Sequence, residues 1–168
     1  MTSYKIEGPW QGELAIVPRP RGGDWLEDEI NALKDGHFEI LVSLLTRDES
    51  DEFDLAAEAD VSRSHGLQFC EFPIPDLGTP HSMTAARELI DKLYARLKAG
   101  KKIAIHCRQG IGRSGLIAAG ALVVSGVDPE TAFRQVSSAR GLPVPETAEQ
   151  KKWVRELARE CAGSLVKG

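Results

Sequence analysis

Residues 101 to 125 constrain the fold of this chain more than any other segment. They begin with a short apolar run, KKIAIHC, which is typical of a strand buried on both faces of a sheet. A loop with two glycines, RQGIG, follows, and Arg113 opens an apolar stretch that predicts a helix to about Ser125. A buried strand that passes through a tight loop into a buried helix predicts part of a βαβ unit.

The rest of the chain continues this alternation of strands and helices. Apolar runs predict strands over residues 13–20, 38–45 and 67–74, and helical spacing predicts helices over 24–34, 48–65, 83–98, 129–139 and 146–161. This order predicts an α/β fold with a mostly parallel central sheet flanked by helices, in a single domain over residues 1–168. Ligands of such sheets bind beyond the carboxyl ends of the strands, where Cys107 lies.

The composition narrows the class of partner and the location. The net charge of −4 disfavours a nucleic acid or a membrane surface as the partner, because both select a basic face. No apolar stretch reaches the roughly 18 residues of a membrane span, and charges and prolines interrupt the N-terminal segment. Three cysteines form a sparse, odd set that fits a reducing cytoplasm. We therefore expect a cytoplasmic protein; the oligomeric state stays open, with a monomer as the expectation.

The loop after the strand has the composition of an anion-binding site. Its glycines allow the backbone N–H groups to converge on one point, and the following helix adds its positive N-terminal end. Cys107 lies at the base of this loop, and such surroundings favour a reactive thiolate. The candidate phosphate-binding residues are Arg108, Gln109, Gly110, Ile111, Gly112 and Arg113.

Three further side chains complete the chemistry predicted for this loop. Arg113 can hold two oxygens of a phosphoryl group in a planar fork, which lysine cannot do. Ser114 can donate its hydroxyl hydrogen to the sulfur of Cys107 when the thiolate leaves a covalent intermediate, and His106 can order the loop by hydrogen bonding. The competing interpretation is a buried structural cysteine beside a glycine turn.

The sequence HCRQGIGRSG closely resembles the H-C-x-x-G-x-x-R-[ST] signature of the cysteine-dependent tyrosine and dual-specificity phosphatases. Because the cysteine lies past the middle of the chain, the resemblance favours the dual-specificity-like branch. It implies the fold of these phosphatases over essentially the whole chain, with the strongest match over residues 74–150. It also implies hydrolysis of phosphomonoesters through a phosphocysteine intermediate.

Asp76 is the candidate general acid, since a leaving oxygen must be protonated as the P–O bond breaks. It lies in the loop FPIPDLGTP after a predicted strand, and a parallel neighbour would bring that loop to the edge that carries Cys107. The loop resembles the general-acid loop of kinase-associated dual-specificity phosphatases, in which the acid later accepts a proton from water. The alternatives are a turn-forming aspartate and, as a rival donor, His81.

The resemblance suggests roles for three more residues, two that would support catalysis and one that would protect the nucleophile. Gln150 either positions the hydrolytic water or is an ordinary residue on a helix surface, and Arg140 braces the phosphate loop. Cys70 either forms a protective disulfide with Cys107 or, as the favoured alternative, is a small apolar residue in a buried strand.

The substrate and the reaction are less tightly defined by the sequence. Inositol-phosphate phosphatases tend to carry lysines inside the loop, and the single extra cation here, Arg108, favours a phosphorylated protein or peptide as the substrate. Phosphotyrosine, phosphoserine and phosphothreonine all remain open. The alternatives are a phosphatase of phosphoinositides or other small phosphomonoesters, a phosphate-binding module without turnover, and a sulfur-transfer or arsenate-reducing enzyme. The four histidines show no metal-ligand spacing, so the sequence implies no metal and no cofactor.

Overall fold

The computed structural model describes residues 2–167, with side chains described up to residue 163. One sheet contains five strands in the spatial order β1-β2-β5-β3-β4. Their bounds are β1 Tyr4–Ile6, β2 Glu13–Ile16, β3 Ile40–Ser43, β4 Gln68–Glu71 and β5 Lys102–His106. The helices are α1 Leu26–Asp35, α2 Arg47–Glu52, α3 Glu58–Ser64, α4 Met83–Lys98, α5 Gly112–Val124, α6 Pro129–Arg140 and α7 Ala148–Lys167.

The predicted α/β class with flanking helices is confirmed, while the sheet itself is mixed. The strand β5 lies in the centre between β2 and β3, and β4 pairs with β3; these three pairings are parallel. The three-residue β1, which the sequence patterns do not predict, pairs antiparallel with β2. The prediction of a mostly parallel sheet therefore holds only in part.

Alternate side chains of β5 enter two hydrophobic cores on opposite faces of the sheet. Ile103 and Ile105 pack into the larger core, which also contains α4, α5, α6 and α7, and Ala104 packs into the smaller core beside α1. Helix α5 is predominantly apolar around its circumference, and all of its residues except Val124 are buried. The central strand and this buried helix fix both ends of the loop that carries the candidate nucleophile.

The prediction of one helix over residues 48–65 is wrong, because the chain breaks there into α2 and α3. Asp54 adopts a positive φ of 55° between the two helices, and its carbonyl accepts a hydrogen bond from Gly23 N. Thr46 begins α2 with a capping box in which Glu49 is the partner. The break follows from a tertiary contact that periodicity in the sequence does not record.

Candidate active site

Cys107 follows the last residue of β5, so the central strand carries its thiol to the carboxyl edge of the sheet. The side chain is buried, and its Sγ atom accepts a hydrogen bond from Gly110 N at 3.2 Å. Gly110 has a φ of 70°, which a residue with a side chain rarely adopts, and this conformation turns its N–H towards the sulfur. The loop therefore closes over the thiol as the sequence predicts.

Arg113 lies in the first turn of α5 with its guanidinium group buried. Its Nη1 donates to Oε1 of Glu49 at 2.6 Å and its Nη2 donates to Oε2 at 2.9 Å, which makes a bidentate ion pair. Nη1 also donates to the carbonyl oxygens of Ile74 and Leu44. These contacts fix the plane of the guanidinium group at the entrance to the loop.

Glu49 is a site residue that the sequence analysis missed. Burial raises its pKa, but the hydrogen bonds from Arg113 and from the Thr46 N–H outweigh that effect and hold the pKa below its usual range. Burial likewise lowers the pKa of Arg113, while Glu49 and the nearby Cys107 and Asp76 raise it above its ordinary value. The one available signal was the T-x-x-E capping box, which predicts a helix start and carries no information about Arg113.

Asp76 comes to the same site from the loop after β4. Its Oδ1 atom accepts hydrogen bonds from Arg113 Nη2 and from Leu77 N, both at 3.1 Å, and 49% of its side chain is exposed. The predicted meeting of the acid loop with the cysteine loop is therefore observed. The rival donor His81 lies on the same loop, immediately before Ser82, the residue that caps α4.

A cavity of about 180 Å³ lies where these elements meet. The lining includes two carboxylates, one thiol, one guanidinium group and several loop residues. It consists of Asp76, Leu77, Cys107, Gln109, Gly112, Arg113 and Glu146. Its size and its convergent polar groups suit a phosphoryl group. Glu146 lies in the segment before α7 and lines the cavity. Like Glu49, it is a residue that the sequence analysis did not single out.

Arg140 bonds to the loop, whereas the hydroxyl group of Ser114 makes no hydrogen bond with any described residue. Arg140 donates from Nε to the carbonyl of Gly110 at 2.8 Å and from Nη2 to that of Gln109 at 3.2 Å, so it braces the loop from α6. Ser114 is fully buried, and its hydroxyl oxygen has no hydrogen-bond partner among the described residues. That hydroxyl is therefore available to a group bound in the site.

Gln150 is fully buried, so its interpretation as a helix surface residue is wrong. Its Oε1 accepts hydrogen bonds from the N–H groups of Glu146 and Thr147, and its Nε2 donates to the carbonyl of Gly78 at 3.1 Å. A Cβ atom on Gly112 would lie 2.9 Å from the Gln150 amide. The Gln150 side chain thus joins the start of α7 to the acid loop beside the phosphate loop.

His106 makes a different hydrogen bond from the expected one. Its Nε2 pairs at 2.5 Å with Oε1 of Glu58, the first residue of α3, and both side chains are buried. Its Nδ1 has no partner among the described residues. The imidazole therefore connects the end of β5 to α3 instead of bonding to the loop, and Glu58 is another partner that sequence patterns do not reveal.

Arg108 extends away from the cavity towards α2. It forms ion pairs with Glu52 at 3.4 Å and with Glu49 at 3.9 Å, and its guanidinium lies 4.9 Å from the centre of the Phe53 ring. Arg19 stacks on the same ring at 3.5 Å and donates to the carbonyl of Arg108. Arg108 is therefore a candidate phosphate-binding residue that does not line the cavity, because its side chain is paired with α2.

The thiol of Cys70 is too far from Cys107 for a disulfide in this structure. Cys70 pairs with Val42, which pairs with Ile105, so two strand spacings of about 4.8 Å separate β4 from β5. A disulfide requires Cα atoms within about 7 Å. All three cysteines are free, and Cys70 packs beside the larger core as an apolar residue. Burial raises the pKa of the third thiol, that of Cys161.

The described residues contain neither a membrane-spanning helix nor a metal-binding cluster. No helix among them is long and apolar enough to cross a membrane. No group of three or more His, Cys, Asp or Glu side chains within residues 2–167 is arranged to hold a metal ion.

The sheet, the buried thiol and the arginine beside it define the class of cysteine-dependent phosphatases. A family model described as "Tc-R-P: Polymorphic toxin system, DSP-PTPase phosphatase" matches residues 17–127. The chain belongs to this DSP-PTPase phosphatase family, which confirms the resemblance found in the sequence.

Curated relatives and solved structures agree with this family. The chain is 28% identical over 142 residues to cyclin-dependent kinase inhibitor 3 of Rattus norvegicus. The aligned region covers 83% of this chain and 66% of that protein. The chain thus spans about two-thirds of the length of this relative. A solved structure of Tk-PTP in its active form is 28% identical, with a TM-score of 0.77, and covers 94% of this chain and 96% of that one. The fold is also that of kinase-associated phosphatase, with a TM-score of 0.83 at 24% identity over 94% of this chain and 96% of that one.

Proposed function

We propose that this protein hydrolyses phosphomonoesters on phosphorylated proteins or peptides through a phosphocysteine intermediate. The observation that carries the proposal is the arrangement in the 180 Å³ cavity, where Cys107, Arg113 and Asp76 share one lining. A nucleophile, a bidentate cation and a proton donor at one small cavity are the groups that this reaction needs.

In the first step, the thiolate of Cys107 attacks phosphorus and the P–O bond to the leaving group breaks. The N–H groups of residues 108–113 and the guanidinium of Arg113 stabilise the charge on the phosphoryl oxygens. Glu49 occupies the Nη1–Nη2 edge of that guanidinium, which leaves the Nε–Nη2 edge for the substrate. A phosphate on this edge displaces Asp76 from Nη2; the freed carboxylate takes up a proton from solvent and, as the carboxylic acid, transfers it to the leaving oxygen.

In the second step, water attacks the phosphocysteine, the S–P bond breaks, and a carboxylate of the cavity lining accepts the proton that the water loses. The electron pair of that bond returns to the sulfur of Cys107, and Ser114 stabilises the departing thiolate by donating its hydroxyl hydrogen. The unpartnered, buried hydroxyl of Ser114 supports this role. Arg140 keeps the loop in shape during both steps through its bonds to the carbonyls of Gln109 and Gly110.

The relatives support a phosphoprotein as the substrate, since their names describe a kinase-associated phosphatase and a putative tyrosine phosphatase. Arg108 is the one cation of the loop besides Arg113, and it is already paired with Glu52. This pairing favours a substrate with one phosphate group over a substrate with several. We further propose that residues 1–168 form a single phosphatase domain and that the protein is cytoplasmic. Three free thiols are consistent with a reducing compartment.

The test is phosphate release from matched phosphotyrosine, phosphothreonine and phosphoinositide substrates, with EDTA present. Wild type and Cys107→Ser are compared at equal concentration. Release by wild type and its loss in Cys107→Ser would establish the thiolate mechanism, and the order of the rates would define the substrate class. Binding of phosphopeptide without release would instead indicate a phosphate-binding module, and turnover of thiosulfate or arsenate alone would indicate the other enzyme class.

A further inference from the structure

The amide oxygen of Gln150 already accepts two hydrogen bonds in the substrate-free site, and one N–H of its amide nitrogen is also bonded. Its oxygen accepts two backbone hydrogen bonds, from Glu146 and Thr147, and its nitrogen donates to Gly78. An amide oxygen has two lone pairs, so both are used. Gln150 can therefore hold a hydrolytic water through its oxygen only if it first gives up one of the bonds at the start of α7.

Glu146 lies beside Gln150 at the start of α5, and of the two residues it is the one that lines the cavity. Its side chain lines the cavity together with Cys107 and Arg113. A Cβ atom on Gly112 would lie 3.0 Å from Glu146 Oε2, so this carboxylate lies directly over the N-terminus of α5. Gln150 fixes its backbone by accepting a hydrogen bond from Glu146 N at 3.0 Å.

The two carboxylates of the cavity have different partners. Asp76, which the sequence predicts to give a proton in the first step and to accept one from water in the second, is in contact with Arg113. The carboxylate of Glu146 makes no hydrogen bond or ion pair with any described side chain, and the residue is exposed to solvent. It is therefore free to accept a proton and to release that proton to bulk water.

We propose that Glu146 is a catalytic residue, the general base that activates water in the second step. This inference rests on the proposed function. The water oxygen forms a bond to phosphorus while the S–P bond breaks and its electron pair returns to Cys107. One proton of the water passes to Glu146, and the other remains on the product, which leaves as hydrogen phosphate. Gln150 is a positioning residue that holds Glu146 over the phosphocysteine.

The experiment follows Glu146→Gln through one turnover of p-nitrophenyl phosphate, with rapid mixing. We expect the first equivalent of p-nitrophenol to appear at the wild-type rate, because Glu146 takes no part in the first step. Phosphate release should slow by about 10-fold or more, since general-base catalysis contributes at least that much. Acid-quenched phosphocysteine should accumulate, and the kcat should become the same for aryl phosphates with different leaving groups.

Glu149→Gln is the matched control, since Glu149 is an exposed carboxylate three residues further along, in the first turn of α7. The proposal is overturned if Glu149→Gln slows phosphate release as much, because the effect would then be one of local charge. It is also overturned if Glu146→Gln slows both steps equally or slows neither, or if Asp76→Asn alone accumulates phosphocysteine.

Two further arms keep the result interpretable. Glu146→Asp retains the carboxylate and should recover part of the phosphate-release rate. Phosphate release at the wild-type rate in Glu146→Gln would contradict the role of Glu146 as the general base, whatever the stability of that variant. If wild type itself gives neither p-nitrophenol nor phosphocysteine, the proposed function fails, which is distinct from failure of the Glu146 assignment alone.

Discussion

Arg113 and Asp76 are in direct contact, with Nη2 donating to Oδ1 at 3.1 Å. The group that would bind the phosphate and the group that would protonate the leaving oxygen therefore pair with each other in the substrate-free site. Because Glu49 holds the opposite edge of the guanidinium at 2.6 and 2.9 Å, Asp76 is the partner that a phosphate would replace. The contact links substrate binding to the release of the acid.

Removal of the competing carboxylate should strengthen anion binding. In Asp76→Ala, we expect the inhibition constant for inorganic phosphate to fall about 5-fold, because an exposed ion pair is worth up to about 1 kcal/mol. Competitive inhibition of p-nitrophenyl phosphate hydrolysis measures this constant. Asp48→Ala removes an equal charge from α2 and should leave the constant unchanged; a similar fall in that variant would show a general effect of net charge.

Asp76→Asn should impair the hydrolysis of substrates with poor leaving groups most. Alkyl phosphates such as phosphoserine need protonation of the leaving oxygen, whereas p-nitrophenolate departs with little help. We expect kcat/KM to fall at least 100-fold for a phosphoserine peptide and less for p-nitrophenyl phosphate. Steady-state kinetics on both substrates tests this expectation, and equal losses would argue against an acid at this position.

Arg113→Lys should not preserve activity even though it preserves the charge. The lysine ammonium cannot bridge Glu49 and a phosphate in two planar pairs. We expect kcat/KM to fall about 100-fold, which corresponds to the loss of about 2.7 kcal/mol of charge-assisted hydrogen bonding. Arg134→Lys, on the surface of α6, is the control for the same substitution. Near-normal turnover by Arg113→Lys would contradict the bidentate geometry.

Glu49→Gln should lower the free energy of unfolding by about 3 kcal/mol at pH 7, because it removes the buried counter-charge of the Arg113 guanidinium and leaves it only the half-exposed carboxylate of Asp76. The folded state lowers the pKa of Glu49, so its ionised form stabilises the fold above the unfolded-state pKa. This contribution is lost as the pH falls through the lower, folded-state pKa. Urea unfolding between pH 7 and about pH 3 should therefore show the difference from wild type shrinking below about pH 5. A difference that does not change with pH would contradict the ion pair as its source.

Glu58→Ala should destabilise the fold and reduce activity together. It leaves His106 Nε2 buried without a partner, which costs about 1–3 kcal/mol, and His106 directly precedes the nucleophile. Urea unfolding and the kcat for p-nitrophenyl phosphate measure the two effects. Glu71→Ala, at the exposed end of β4, removes the same charge and should change neither quantity. Wild-type stability in Glu58→Ala would show that the pair contributes no net energy.

Sequence patterns predict the parts of this site that depend on local chain geometry. The strand that ends at Cys107, its glycine loop and the helix at Arg113 follow one another, so periodicity and spacing are sufficient to place them. Asp76 was also predictable, because parallel strands end at the same edge of a sheet. The loop signature added the phosphatase chemistry, which the family match confirms.

The residues that were missed depend on contacts between distant segments. Glu49 meets Arg113 across 64 positions of the chain, and Glu58 meets His106 across 48. Acidic residues in a polar segment are ordinarily solvated, so composition gives no reason to bury these two. The break between α2 and α3 that positions them arises from the Gly23–Asp54 contact, which no periodic pattern encodes.

The hydrogen bond from Gln150 to Gly78 has a consequence for motion in the acid loop. Ile74 N is bonded to the carbonyl of Leu44, and Gly78 is held by Gln150 and by its own N–H bond to Pro75. Only three residues lie between these anchors, which is too short a span to swing as a lid. In the proposed mechanism, Asp76 would therefore reach the leaving group by rotation of its side chain, and turnover would not have to wait for a slow loop closure.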